Sequence, residues 1–582
     1  MSRWCARVGL GALVALLSAC PLEQTLSEGT YPKDRFEAWR FLTHATFGPT
    51  DADIERVDTL GYEDWIDEQF NMTPQVSYRR FLENRQAELK ADFGAAAKAG
   101  PNEIIEGFYT RALTDPAQLR HRLVFALSEI FVVSMANAAI ADRPSYMAGY
   151  LDMLEANLNG NYRTLLESVT KSPAMGQYLT FRSNQKEDPA TGRIPDENYA
   201  REVMQLFSIG LYELQANGTL ALNANQQPKP TYGVSDIKGL AKVFTGWSND
   251  RGSALAGVAE WKCFEVTLEC FDPESAYKPM VAYPAYHSTS EKAFLSARIA
   301  AQGSPDPQAS LKVALDTLAQ HPNVAPFFSK QLIQRLVTSN PSPEYVERVA
   351  KQFLSSQGDI RQVVKAILMD AEAVGSASLD DTAAGKVREP VLRLTAILRA
   401  FRFEGPGLLA STSRTKTVGI INTANQTTSF GQSPYMSPSV FNYFRPGYVP
   451  PQSETASKGL VAPELQITNE TSVTGYVNSV QSLLSNGIGD VQGQTGLRLV
   501  LQDQRSLASS TTQLVENITK QLLGGRVSDP LKAELTRVIN TMPVPALNSD
   551  QSNGAAINAA LDLRVNAAIL MTAASPEFLI QK

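Results

Sequence analysis

Pro195-Asp-Glu-Asn-Tyr-Ala-Arg-Glu202, the apolar run 203–210, a turn-rich insert, Thr231-Tyr-Gly-Val-Ser-Asp236 and finally Phe244-Thr-Gly-Trp247 form the stretch whose reading decides the fold. It describes two helices, each with a polar start and an apolar body. Glu197 and Arg201 stand four apart, as do Asn198 and Glu202, so each pair shares a helix face. Val203, Leu206 and Phe207 form the inward side, and Ala200 lets a second helix approach closely. Two chemistries stay open for this polar cluster. Glu197, Glu202 and Asp236 suit a pocket of general acids and bases or hard-cation ligands. Equally, Arg201 suits a buried ion-pair network that ties the carboxylates of two helices together. A guanidinium at the centre neutralises carboxylates that a metal would need, which favours the network.

Helical periodicity continues on both sides. Phe36, Trp39, Phe41 and Leu42 face one way. Thr50 caps the next helix with Asp53 in a capping box, Ile54, Val57 and Leu60 form its stripe, and Gly61 stops it. Asp115-Pro116 opens a long central core helix bearing Leu119, Leu123, Leu127, Ile130 and Val133. Further helices are predicted at 144–158, 162–169, 311–318, 324–337, 345–353, 360–369 and 386–401, and from about 472 to the C-terminus. Residues 250–308 read as irregular. Residues 404–433 form a Ser/Thr/Asn/Gly-rich connection, and 435–451 an ordered layer dense in aromatics and proline. Asn217-Gly218, flanked by Leu214, Leu220 and Leu222, is one of few strand signals. The predicted fold is mainly α: a large multi-helix body with irregular aromatic- and proline-rich layers and at most a small β-hairpin. Its divisions are a signal peptide (1–19), a tether (20–34), a main helical body (35–403) containing the Glu197–Trp247 motif region, and a C-terminal helical lobe (404–582) packed on that body.

Composition bounds the chemistry. The chain has 582 residues, 43% hydrophobic and 19% charged, which suits a chain with a substantial core. Its net charge of −6 and the lack of any basic cluster exclude the usual nucleic-acid binder. Four histidines without His-x-His or His-Glu-x-x-His spacing argue against a zinc enzyme, so no metal is expected. Gly-x-Ser-x-Gly, Walker and dinucleotide fingerprints are absent, as is Cys-x-x-Cys-His, so no cofactor is expected either. His287 and Lys292 remain as candidates, because they fall in an irregular segment of the kind that carries functional groups.

The N-terminus carries an address. Arg3 and Arg7 precede a ten-residue apolar run too short to span a bilayer, and the run ends in Leu17-Ser-Ala-Cys20. This looks like the bacterial lipobox, in which the cysteine is lipidated; the other reading is an ordinary secretory signal with an incidental cysteine. Pro21 follows, with no inner-membrane-retention Asp. The expected location is therefore the bacterial cell envelope, lipid-anchored at the outer membrane in a Gram-negative source. No later run reads as a transmembrane helix. With Cys5 lost and Cys20 acylated, Cys263 and Cys270 remain as a pair in an oxidising compartment. A disulfide closing that short loop contributes about 2–3 kcal/mol by loop entropy. A metal would need ligands beyond Glu265 and Glu269.

Several motifs then combine. Phe41-Leu-Thr-His-Ala-Thr-Phe-Gly-Pro-Thr50, Glu197-Asn-Tyr-Ala-Arg-Glu202 and Phe244-Thr-Gly-Trp247 come first. His287-Ser-Thr-Ser-Glu-Lys292, His321-Pro-Asn-Val, Pro438-Ser-Val-Phe-Asn-Tyr-Phe-Arg-Pro-Gly-Tyr448, Ala462-Pro-Glu464 and Ser575-Pro-Glu-Phe578 follow in order. Together they resemble the bacterial domain-of-unknown-function-1800 family across nearly all of 35–582. The resemblance implies a large secreted helical protein of unestablished activity. It also implies a possible secreted partner, because such proteins are often encoded beside a family similar to alkaline phosphatases and sulfatases. Many members carry Asp after the histidine matching His287; Ser288 stands there instead, which weakens a His–Asp pair. The leading expectation is an envelope lipoprotein with a binding or assembly role toward a secreted partner. The alternative is an envelope hydrolase using Glu197 and Glu202 with His287.

Lipidation gives the first test. Cys20→Ala should leave the protein without an acyl mass, either soluble or held as an uncleaved precursor, as read by intact mass and detergent partitioning. A wild-type protein processed without an acyl group would contradict the lipobox.

Overall fold

Caps and turns set where the helices begin. In the computed structural model, which describes residues 31–250, 252, 258–267, 270, 272–409 and 414–582, Thr50 and Asp53 close the expected capping box on helix Asp51–Leu60. Asn161 likewise caps Tyr162–Thr170 with its side chain. Cys20 and the rest of the lipobox lie outside the described residues. Helix takes 54% and strand 7%, so the fold is mainly α as expected. One hydrophobic core runs from Ala38 in the first helix to Phe578 near the last residue.

Several boundaries differ from the periodicity, each for a local reason. The central core helix runs from Gln118 to Ser128, and every residue in it is buried. Asp115 does not start it; its carboxylate accepts from the Ala117 amide and shapes the turn before the helix. At the far end the Glu129 amide is shared among carbonyls of the last turn, and Ile130–Val133 continue buried but outside the helix. The predicted 386–401 helix begins only at Pro390, because a residue before proline is pushed out of the α region. Lys386–Val387 instead pairs antiparallel with the C-terminal strand Ile580–Gln581. After helix Glu470–Asn486 the chain makes a hairpin, Ile488–Val491 with Gln494–Leu499, where helix was predicted. Its turn residues Gln492 and Gly493 both have positive φ, the requirement of a primed two-residue turn. Strand Phe403–Glu404 joins the same sheet, so the chain crosses position 404 inside a strand.

The segment 250–308 also carries more order than predicted. Val281–Ala282 pairs with Trp247–Ser248, Lys292–Phe294 pairs with Ala297–Ile299, and Cys263 is disulfide-bonded to Cys270. One later helix, Gly554–Ala573, has the length and apolarity of a membrane span, contrary to the sequence reading. It packs on helices Glu470–Asn486, Thr511–Leu523 and Asp529–Asn540, and Arg505 pairs with its Asp562.

The second helix of the central stretch, Val234–Val243, lies directly on strand Lys292–Phe294. Gly239 makes that approach possible: a Cβ there would sit 1.7 Å from the Ala293 carbonyl oxygen. Gly239→Ala should therefore destabilise the fold by about 2 kcal/mol or more through overpacking. Gly303→Ala, where a Cβ meets nothing within 4 Å, should melt like wild type. Equal melting of the two variants would contradict this packing.

Candidate functional site

A cleft of about 720 Å³ opens between the central stretch, helix Val324–Leu336 and the aromatic loop after Tyr435. The helix contributes Phe327, Lys330, Gln331, Gln334 and Arg335, a three-to-four spacing that places all five on one face. Opposite lie Gln205 and Leu206, from a π-helical segment Val203–Ser208 that continues the short helix Asn198–Glu202. Such wide turns recur at functional sites because they re-aim side chains. Two residues after the segment comes Gly210, where φ is +71° and a Cβ would strike the Phe327 ring.

A hairpin turn forms at Asn217-Gly218, although only Gly218 has positive φ, so it is not the primed two-residue turn that Asn-Gly suggests; bridges Leu214–Leu220, Leu222–Pro228 and Tyr212–Pro230 extend it into a small three-armed rim. Asn323 fastens this rim to the helix. Its Oδ1 accepts from the Leu214 amide at 2.9 Å, and its Nδ2 donates to the Ile209 and Tyr212 carbonyls, each at 2.8 Å. Leu211, Tyr212, Leu220 and Leu222 on the rim are each 45–48% exposed. The far wall is Val440, Phe441, Arg445 and Pro446, from the motif Pro438–Tyr448.

Beneath the cleft lies a cluster of buried charge. Glu129 and Arg335 reach the cleft and face each other at 3.6 Å, while Asn442 donates to the other Glu129 oxygen at 3.0 Å. Lys386 Nζ is 3.1 Å from Glu464 and donates to the Arg335 carbonyl at 3.0 Å. Arg122 donates to the same carbonyl at 2.6 Å, and Glu389 accepts from Gln432 at 2.7 Å. Three carboxylates thus face three cations. Burial, and then the Glu389 charge, raise Glu129 to about 7 against the opposing pull of Arg335 and Lys386. Its place at a helix C-terminus acts in the same direction. Burial also acts to raise Glu389, but Lys386 and Arg122 outweigh it and hold that carboxyl low.

The residues nominated from sequence do not form one buried network. Arg201 is exposed and pairs only loosely with Glu197, at 3.6 Å across the helix surface. A pair of this kind contributes about 0–1 kcal/mol, far below a buried one. Asn198 donates to Thr180, and its amide is held by Asp196. Asp236 completes the start of its own helix at Gly233 and accepts from the Leu295 amide at 2.7 Å. Glu202 is buried, its Oε2 has no hydrogen-bond partner among the described residues, and burial raises its pKa. Trp247 is buried in the core, and its indole N–H has no hydrogen-bond partner among the described residues.

His287 and Lys292 are buried on the other side of Phe244–Trp247. His287 Nδ1 donates to the Thr245 carbonyl at 2.8 Å, its Nε2 lies 3.1 Å from Ser310 Oγ, and burial lowers it to about 4. Ser288 donates to Glu187, and Lys292 to Gln302, so these groups dock one segment on another. None of Glu197, Glu202 and His287 lines the large cleft. His121 is buried beside Asp115, at 3.2 Å. Among the described residues no group of three or more His, Cys, Asp and Glu side chains is disposed to hold a metal ion.

Sequence reasoning passed over Glu129, Arg335, Lys386 and Glu389. The usable signal was a charge set inside an apolar run, as at Glu129 between Leu127 and Ile130. A proton test follows. Folded Glu129 binds its proton more tightly than an ordinary carboxyl near 4.5. The stability it contributes is complete below that value and is lost as pH rises through about 7, on the order of 3 kcal/mol in all. Glu389, held low, keeps its stabilising contribution throughout that window and loses it only at more acid pH. From about pH 5 to about pH 8 the wild type should therefore lose melting temperature relative to Glu129→Gln. Parallel pH profiles for the two proteins would contradict the assignment.

No curated protein matches the chain, and no solved structure does. A family model does match, from Arg40 in the first helix to Ile580 in the last strand, and it takes in the cleft, the rim and the charged floor. The chain belongs to the family described as Protein of unknown function (DUF1800), whose model matches residues 40–580.

Proposed function

We propose that this chain is a lipid-anchored envelope protein whose work is binding, and that the cleft under the Leu211–Leu222 rim takes part of a secreted partner. One observation carries the reading: a cleft of about 720 Å³ with largely apolar walls, lined on its rim by Leu211 and Leu220, which stand nearly half exposed. Binding sites combine such walls with a few placed polar groups, and a contiguous exposed apolar patch marks an interaction surface. The N-terminal lipobox supports the anchoring, and the family resemblance supports a secreted partner. The observations weigh against the hydrolase alternative. His287 has both ring nitrogens engaged by buried neighbours, and Glu197 is taken up by Arg201 on the surface. Neither hydrogen-bonds to Glu202 among the described residues.

Photo-crosslinking in intact envelopes tests the binding role. A benzoylphenylalanine placed at position 211 or 220 should yield an adduct with a secreted protein, identified by mass. The same residue at 354, where Leu354 is 66% exposed on a different surface, should yield none. No adduct from either rim position, or the same adduct from 354, would reject the cleft as the binding site.

A further inference from the structure

The charges that line the cleft say what kind of segment it takes. Lys330 points from the middle of the helix stripe, half-buried, and makes no hydrogen bond or ion pair among the described residues. Burial alone lowers its pKa from the ordinary lysine value; no carboxylate acts against it. Across the cleft the Arg445 guanidinium lies over the Phe441 ring, 4.6 Å from its centroid, and it too lacks a carboxylate partner. Arg335 is matched by Glu129, the one acidic side chain in the lining. The cleft therefore presents two uncompensated cations, in a chain whose net charge is −6. A half-buried ammonium without a counter-ion is costly, and a carboxylate brought beside it restores what burial removed.

The walls separate a peptide from a lipid. Gln205 has no side-chain hydrogen bond among the described residues, and Gln331 makes only a long one, at 3.4 Å to the Leu206 carbonyl. Two under-used amides, set between Leu206, Phe327 and Leu220, suit a peptide backbone flanked by apolar side chains. A hydrocarbon tail leaves them unsatisfied.

We infer that the cleft binds an extended acidic segment of a partner protein, with leucine-sized side chains against the rim and a Glu or Asp carboxylate between Lys330 and Arg445. This rests on the binding role proposed above and adds the chemistry of the occupant.

The test uses the full chain in lipid nanodiscs, with empty nanodiscs as blank. The probes are two fluorescein-labelled hexapeptides, Ser-Leu-Glu-Leu-Leu-Ser and its Gln twin, both blocked at the N-terminus and amidated at the C-terminus, read by anisotropy. The Glu peptide should bind at least tenfold more tightly than the Gln peptide. Lys330→Met should bring the two within about twofold while melting like wild type, and Arg445→Gln should narrow the gap in part. Equal binding of the two peptides by wild type overturns the acidic assignment and leaves the cleft's binding role standing. Displacement of the Glu peptide by laurate at lower concentration than by unlabelled Glu peptide overturns the choice of a peptide in favour of a lipid anion. No binding of either peptide, alongside a clean adduct from position 220 in envelopes, rejects this occupant alone. No binding and no adduct rejects the binding role with it.

Discussion

The contact of Lys386 with Glu464 and the Arg335 carbonyl holds the strand that pairs with Ile580–Gln581 against the floor of the cleft. Lys386 lies in the strand that pairs with Ile580–Gln581, Glu464 lies in the turn Pro463–Ile467, and Arg335 lies in the last turn of the helix that lines the cleft. One fully buried ammonium thus ties three segments that are far apart in sequence. Gln581 adds a second tie, donating to the Leu336 carbonyl at 2.7 Å, and Arg40 in the first helix donates to the Lys582 carbonyl at 2.9 Å. Burying ions costs several kcal/mol each, and only a balanced set with filled hydrogen bonds offsets it. Three carboxylates against three cations balance the charge, with Glu129 as the member whose proton moves near neutrality, while one oxygen of each carboxylate has no hydrogen-bond partner among the described residues. Such an arrangement is a weak source of stability but a strong source of geometry, because a displaced segment strands a charge.

The helices were legible because burial and period coincide in them. Helix Ile360–Leu368 buries Ile360, Val363, Val364 and Ile367 at the expected spacing, and Asn161 and Thr50 cap as their side chains dictate. What escaped was set by contacts distant in sequence. Gln492-Gly493 is a weaker turn signal than Asn-Gly, yet strand Gln494–Leu499 forms because Phe403–Glu404 arrives to pair with it. Lys386–Val387 carries no strand pattern of its own, and its partner lies at the far end of the chain.

The site was half legible for a related reason. Motifs around Asn323, Asn442 and Glu464 were visible as motifs, but their work is done across the fold: Asn323 fastens the rim, Asn442 holds Glu129, and Glu464 neutralises Lys386. Spacing alone proposed a network around Arg201 because positions four apart share a face. It could not say that this face looks outward. Sequence offers Asp236 as a pocket carboxylate or a partner of Arg201, although its position, three residues after Gly233, is that of a helix-starting carboxylate, and it serves as one. Local rules place a side chain on its helix, while its neighbours decide whether it reacts, pairs or caps.

The rim shows why that distinction bears on function. A hairpin this small is marginal by itself, since two or three short arms bury little. Here Asn323 supplies cohesion through three hydrogen bonds at its base, and Gly218 at the tip lies against Val346. Leu211, Tyr212, Leu220 and Leu222 can then stand against solvent without unfolding the element that carries them. Turning those side chains into the body would shelter them, yet Gly210 with its left-handed backbone leads the chain outward over Phe327 instead. The rim is thus held open by a polar staple on one side and a glycine turn on the other. Apolar area kept in water by rigid geometry gains from whatever covers it, and the two unmatched cations below select among the candidates by charge.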